Sequence, residues 1–221
     1  MPDWLQIASV TDVLSTSLRL SVPIAFAALG GVITERSGVW NIGLEGMILA
    51  GAFGAELGVF LTGEPFLGLV VGILCGMLLA LVLAMLTITL GVNQVVSGIA
   101  INLLSIGLTA YFARLIFGLD ATTKTLAGLS DWPVPGLVDI PVAGPVLFNQ
   151  DPLVYLLYML VPIIYWGLYR TAWGLNIRAT GENPIAADTA GLSLFMVRYS
   201  CLILPGPMPA SGGAYLFLAR V

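Results

Sequence analysis

Long apolar runs broken by short polar stretches dominate this chain. Runs of roughly 20 apolar residues match the hydrocarbon core of a bilayer, and candidate spans cover Leu14–Ile33, Val39–Thr62, Phe66–Leu90, Asn93–Phe117 and Leu153–Tyr169. A sixth begins near Leu194 and is the weakest, because Pro205, Pro207 and Pro209 interrupt it. The pattern predicts an all-α fold, a polytopic transmembrane helical bundle of about six spans in a single domain over residues 1–221. Arg19 near the start of the first span can snorkel to the nearer surface, and Pro23 inside it is tolerated where neighbouring helices satisfy the freed carbonyl.

Three spans carry a finer pattern. Small residues recur every fourth position at Gly46, Ala50, Gly54 and Gly58 in the second, and at Gly68, Gly72, Gly76, Ala80 and Ala84 in the third. Such stripes let backbones approach closely, so these two helices are expected to pack together. In the fourth, Gln94, Gly98, Asn102, Ser105 and Thr109 fall three or four residues apart and share one face. A hydrogen-bonding stripe on an apolar helix has two readings. It lines a path for a polar solute, or it bonds one helix to another.

Two segments interrupt the runs. Residues 118–150 contain Pro133, Pro135, Pro141 and Pro145 and read as an extended external loop with room for one short helix. Residues 171–191 are polar and predict a short helix, Pro184–Ala190, with Asn183 as N-cap, Pro184 at the first helical position and Gly191 closing the end. At about 10 Å such a helix is too short to cross a bilayer. It suits docking into a cleft of another protein.

Composition narrows the chemistry. The chain has 221 residues, 58% hydrophobic and 9% charged, with a net charge of −4 and no histidine. That balance provides no basic surface for nucleic acid and removes the commonest metal ligand and general base. Cys75 and Cys201 lie in apolar surroundings and read as small core residues. The acidic N-terminus lacks the basic region of a signal peptide, so the first span is expected to stay in the mature protein.

The block Arg178-Ala179-Thr180-Gly181-Glu182-Asn183-Pro184, followed by Ala186, Ala187 and Gly191, resembles the coupling loop of permease subunits of ABC importers for branched-chain amino acids, ribose, simple sugars and nucleosides. A second block, from Thr34-Glu35-Arg36 through Trp40-Asn41 to Glu45-Gly46-Met47, is similar to the signature of the nucleoside and simple-sugar branch. The resemblance implies a transport subunit rather than an enzyme, and no cofactor. It implies four kinds of neighbour: a separate ATP-binding subunit, a second permease subunit, identical or related, an extracytoplasmic substrate-binding protein and the lipid bilayer. Arg178, Gly181, Glu182, Asn183, Pro184, Ala187 and Gly191 would make up the element that couples to the ATPase. Within this set Gly181 would allow the turn before the docking helix, and Arg178 and Glu182 would pair with the ATPase or with each other. Family members carry further spans after this point, so the chain reads as lacking C-terminal spans.

Candidate path residues are Asn41, Glu45, Gln94, Asn102, Ser105 and Thr109. Glu45 reads first as a structural partner of Arg36 or of a backbone amide, and second as a path or gating group, four residues from Asn41 on a shared helix face. With residues 171–191 in the cytoplasm, Arg36, Arg170 and Arg178 all fall inside, and residues 118–150 hold Lys124 beside Asp120, Asp131 and Asp139 outside. No G-x-x-x-x-G-K-[ST] run occurs, so an ATP-driven reading calls for a separate ATPase chain. An ion-coupled transporter would call for several buried acidic or histidine residues near mid-membrane, of which there are few. Intramembrane hydrolase motifs are absent. The expected cargo is a nucleoside or simple sugar, with branched-chain amino acids as the alternative, in the cytoplasmic membrane of a prokaryote.

Overall fold

The structure, a computed structural model, describes residues 7–118, 128–138 and 140–219. Asp120, Lys124, Asp139 and the first six residues, used above to orient the chain and to read its N-terminus, lie outside them. Helix boundaries follow local chemistry. Asn93 caps α4 (Gln94–Phe117) by accepting from Val95 N and Val96 N at 2.9 and 3.3 Å. Prolines open α3 (Pro65–Ala84) and α6 (Pro152–Arg170), where an amide hydrogen would have no intrahelical acceptor. The first helix, α1 (Ile7–Arg36), runs through Pro23, and α2 covers Leu44–Thr62. A π-helical turn, Met85–Thr89, prolongs α3.

Between α4 and α6 lie strand β1 (Trp132–Pro133), helix α5 (Ala143–Phe148) and strand β2 (Asn149–Gln150). The strands pair antiparallel, Trp132 opposite Gln150 and Pro133 opposite Asn149. After α6 come α7 (Ala172–Glu182), α8 (Pro184–Thr189), α9 (Leu194–Ile203) and α10 (Pro207–Leu218). Among the described residues, six stretches are long and apolar enough to cross a membrane, the last being Leu194–Leu218, which joins α9 to α10.

The glycine stripes of α2 and α3 meet. A side-chain carbon on Gly54 would lie 2.9 Å from Gly72 Cα, and one on Gly58 would lie 2.7 Å from Gly68 Cα. Neither helix could hold this distance with larger residues. The prolines of the sixth span do not weaken its place in the fold. Pro207 occupies the first turn of α10, and this helix, built from Pro209, Ala210, Ser211, Gly212, Gly213 and Ala214, is buried against α1, α2 and α3. Its small residues admit it where a leucine-rich helix would not fit. Outward faces of the other spans are aliphatic, with Ile24, Leu103, Leu115 and Met159 all more than 60% exposed, as lipid contact requires.

The segment 171–191 differs from the polar loop expected. An additional helix, α7, precedes the short one, begun by Thr171, whose hydroxyl accepts from Gly174 N at 3.2 Å. The second span is also shorter at its start than its hydropathy implies. Asn41 folds back to accept from Gly43 N at 3.1 Å, and the helix begins only at Leu44. Asn41 and Glu45 therefore do not share a helix face; Asn41 is buried and Glu45 exposed.

Candidate functional site

Two polar constellations stand out, each centred on one of the sequence blocks. The first surrounds the start of α2. Its N-cap, Gly43, has no side chain to bond the free amides of the first turn. Asn102 on α4 supplies the bond instead: its Oδ1 accepts from Gly46 N at 2.8 Å and its Nδ2 donates to Ile42 O at 3.0 Å. Ser105 Oγ donates to Gly46 O at 2.7 Å, and Gln94 Oε1 accepts from Trp40 N at 2.8 Å. Thr109 stays within its own helix, donating to Ser105 O at 2.7 Å. Gly98 completes the contact, since a side-chain carbon there would lie 2.6 Å from Ile42 Cβ. The stripe thus binds α4 to residues 40–46, with Asn102 capping α2 from a neighbouring helix. Glu45 stands apart from these bonds. It makes no ion pair with Arg36, and the Arg19–Asp131 pair is the one salt bridge among the described residues.

The second constellation is built on α7 and α8. Asn183 Oδ1 accepts from Ala186 N at 3.0 Å, and Pro184 occupies the first position of α8. Gly191, at φ +85°, closes the helix, with Leu192 N donating to Ala187 O at 3.0 Å. Ala187 is the buried residue of α8, whereas Ile185 points outward and is 77% exposed. Gly181 lies inside α7 rather than at a turn. A side-chain carbon there would press on Arg36 O and lie 3.0 Å from Arg36 C and 3.1 Å from Gly38 N. Its role is to seat α7 directly on the backbone of the turn after α1.

Arg178 and Glu182 sit one helical turn apart without forming an ion pair. Arg178 lies over the Tyr169 ring at 5.3 Å, and Arg36 reaches the same ring at 5.8 Å. Both distances are within cation–π range. Glu35, Arg36, Arg178, Gly181 and Glu182 line a polar groove of about 230 Å³. Glu182, the last residue of α7, directly precedes the cap of α8, where negative charge favours the helix start.

Sequence reasoning did not anticipate one contact. Tyr199 on α9 is hydrogen-bonded to Thr89 in the π-helical turn of α3. Nothing in the local pattern of either residue points to it, although π-helical turns are often found at functional sites. Through it the segment that follows α8 is tied to the tightly packed α2–α3 pair. No group of three or more metal-ligating side chains occurs among the described residues.

Among the described residues, six stretches able to cross a membrane, packed through small residues, make this an all-helical multi-pass membrane bundle. A family model described as branched-chain amino acid transport system / permease component matches residues 13–221, and the chain belongs to that family. It is 38% identical to the guanosine ABC transporter permease protein of Bacillus subtilis over 96% of this chain and 68% of that one. It is 39% identical to a provisionally named glucose ABC transporter permease protein of Haloferax volcanii, over 93% of this chain and 62% of that one. Identity to the nucleoside ABC transporter permease protein of Lactococcus lactis is 34%, over 91% of this chain and 66% of that one. The chain therefore spans about two thirds of the length of these relatives. No solved structure matches it. With six candidate spans among the described residues, it is a multi-pass protein of the inner membrane.

Proposed function

We propose that this chain is the translocation subunit of an ATP-driven importer for a nucleoside or simple sugar, and that a separate ATPase docks on α8. The observation that carries this reading is the form of α8. It is a single exposed helix of six residues, fixed at both ends by Asn183 and Gly191, presenting Ile185 outward and anchored to the bundle through α7. An isolated helix of this length would not hold its shape in water, so its capping and seating serve a contact made elsewhere. Named relatives that act on nucleosides and glucose support the cargo class.

In this reading α8 faces the cytoplasm, together with Arg36, Arg170 and Arg178. Strands β1 and β2 and helix α5 lie on the outer side, where a substrate-binding protein delivers its load, and a second permease subunit completes the path. Movement of α8 reaches the spans by two routes. One runs from Gly181 to the turn after α1, and the other from α9 through Tyr199 to Thr89. The stripe of Gln94, Asn102 and Ser105 then keeps the start of α2 moving with α4, and its bonds to backbone support packing over direct solute contact.

The test is co-purification. An Ile185→Asp variant removes an exposed apolar contact without touching the fold, so the membrane protein should be made at normal levels and lose its ATPase partner in detergent. An unchanged yield of ATPase would overturn the docking role of α8.

A further inference from the structure

We propose that Asp131 and Asp151 form a proton-binding site, sharing one proton across the foot of the β1–β2 ladder, and that this proton holds residues 128–150 onto the end of the bundle remote from α8. The strand register carries the geometry. Trp132 pairs with Gln150 and Pro133 with Asn149, so one step further along the ladder sets Asp131 directly opposite Asp151. Residues opposed in an antiparallel pair have Cα atoms about 5 Å apart, and two carboxylates so placed repel one another.

Among the described residues, a single cation faces both. Arg19 on α1 bonds Asp131 at 3.1 Å, but its Nε is directed to Gln150 Oε1 at 3.0 Å and the same guanidinium reaches Asn149 O at 3.4 Å. One negative charge is left over. It falls on Asp151, which is 2% exposed and whose Oδ2 is buried without a hydrogen-bond partner. A second observation points the same way. The hydroxyl of Tyr215 on α10, a residue with no exposed surface, is also buried without a partner, within the field of Asp151, Arg19 and Asp131. A buried carboxylate beside another carboxylate and an unbonded hydroxyl is costly, and taking up a proton removes the charge and provides a donor.

The groups facing Asp151 are Arg19 from α1, Asp131 from the segment before β1 and Tyr215 from α10, with Tyr158 of α6 facing Tyr215. Asp12 lines a cavity of about 350 Å³ with Arg19 on the same side. Burial, then the charge of Asp131, push the Asp151 carboxyl up to about 6, with Arg19 opposing the rise. Because the value is raised in the docked arrangement, the stabilisation by the proton is complete below about pH 4 and is lost as pH rises through about 6. A rise from about 4 to about 6 corresponds to roughly 100-fold in proton affinity, which bounds the pH-dependent loss of docking.

The experiment is pH-difference infrared spectroscopy on the full chain in lipid nanodiscs, paired with hydrogen exchange of the amides in residues 128–150, corrected for intrinsic rates. A protonated-carboxyl band should disappear with a midpoint near 6, and amide protection should fall over the same interval. Asp151→Asn should abolish the band and flatten the exchange profile; Asp131→Asn, which keeps Asp151, should lower the midpoint. A wild-type midpoint near 4, or a titration unchanged in Asp151→Asn, overturns the site. So does a midpoint displaced by millimolar Ca²⁺, which would mark a metal site instead.

Discussion

Replacing Gly181 with alanine adds one methyl group where the structure leaves no room for it. The new carbon would press on Arg36 O while lying 3.0 Å from Arg36 C and 3.1 Å from Gly38 N, all backbone atoms that cannot rotate away. To restore ordinary separations near 3.5 Å, α7 must retreat by on the order of 1 Å. Overpacking of this kind costs about 1–3 kcal/mol, and the better helix propensity of alanine returns about 1 kcal/mol of it. Gly107 on α4 provides the control, because a side-chain carbon there meets nothing within 4 Å. Gly107→Ala should be neutral or slightly stabilising, whereas Gly181→Ala should lower the midpoint of thermal unfolding in detergent. In reconstituted vesicles Gly181→Ala should also reduce solute uptake per ATP hydrolysed. Equal melting midpoints and equal uptake ratios for the two variants would refute the claim that α7 is seated on the turn after α1.

Two further outcomes follow from the contacts described. Asn102→Leu leaves Gly46 N–H and Ile42 C=O without partners and should cost about 1–3 kcal/mol, read as a lower unfolding midpoint in detergent; an unchanged midpoint would show that α2 does not rely on capping from α4. Tyr199→Phe removes one hydroxyl at the joint between α9 and the π-helical turn, and should leave ATPase binding intact while lowering uptake per ATP hydrolysed. A normal ratio would remove Tyr199 from the transmission route.

Much of this was legible where the signals are local. Asn183, Pro184 and Gly191 announce α8 because capping, a missing amide hydrogen and a left-handed close all act within a few residues. The meeting of the α2 and α3 stripes was legible too, since spacing alone brings small residues to one face. What stayed hidden is non-local. Nothing near Asn102 reveals that its amide bonds the start of another helix. Gly181 looked like a turn residue, because a glycine required by the backbone of a distant turn leaves no mark in its own surroundings. Pro205, Pro207 and Pro209 looked like breaks in a weak span, and only the packing of α10 shows that the break is a joint within one crossing.

That crossing has a consequence for how the protein is made. Of the elements described, α10 is the last to leave the ribosome, yet it lies between α1, α2 and α3, all synthesised earlier. Until it arrives, those three helices must hold open a slot, or close onto one another and later part. The stretch that fills the slot is the least hydropathic of the six crossings, so lipid alone draws it in weakly. Its insertion is favoured by a waiting surface of protein, and α1, α2 and α3 reach the packing described only once α10 has moved between them.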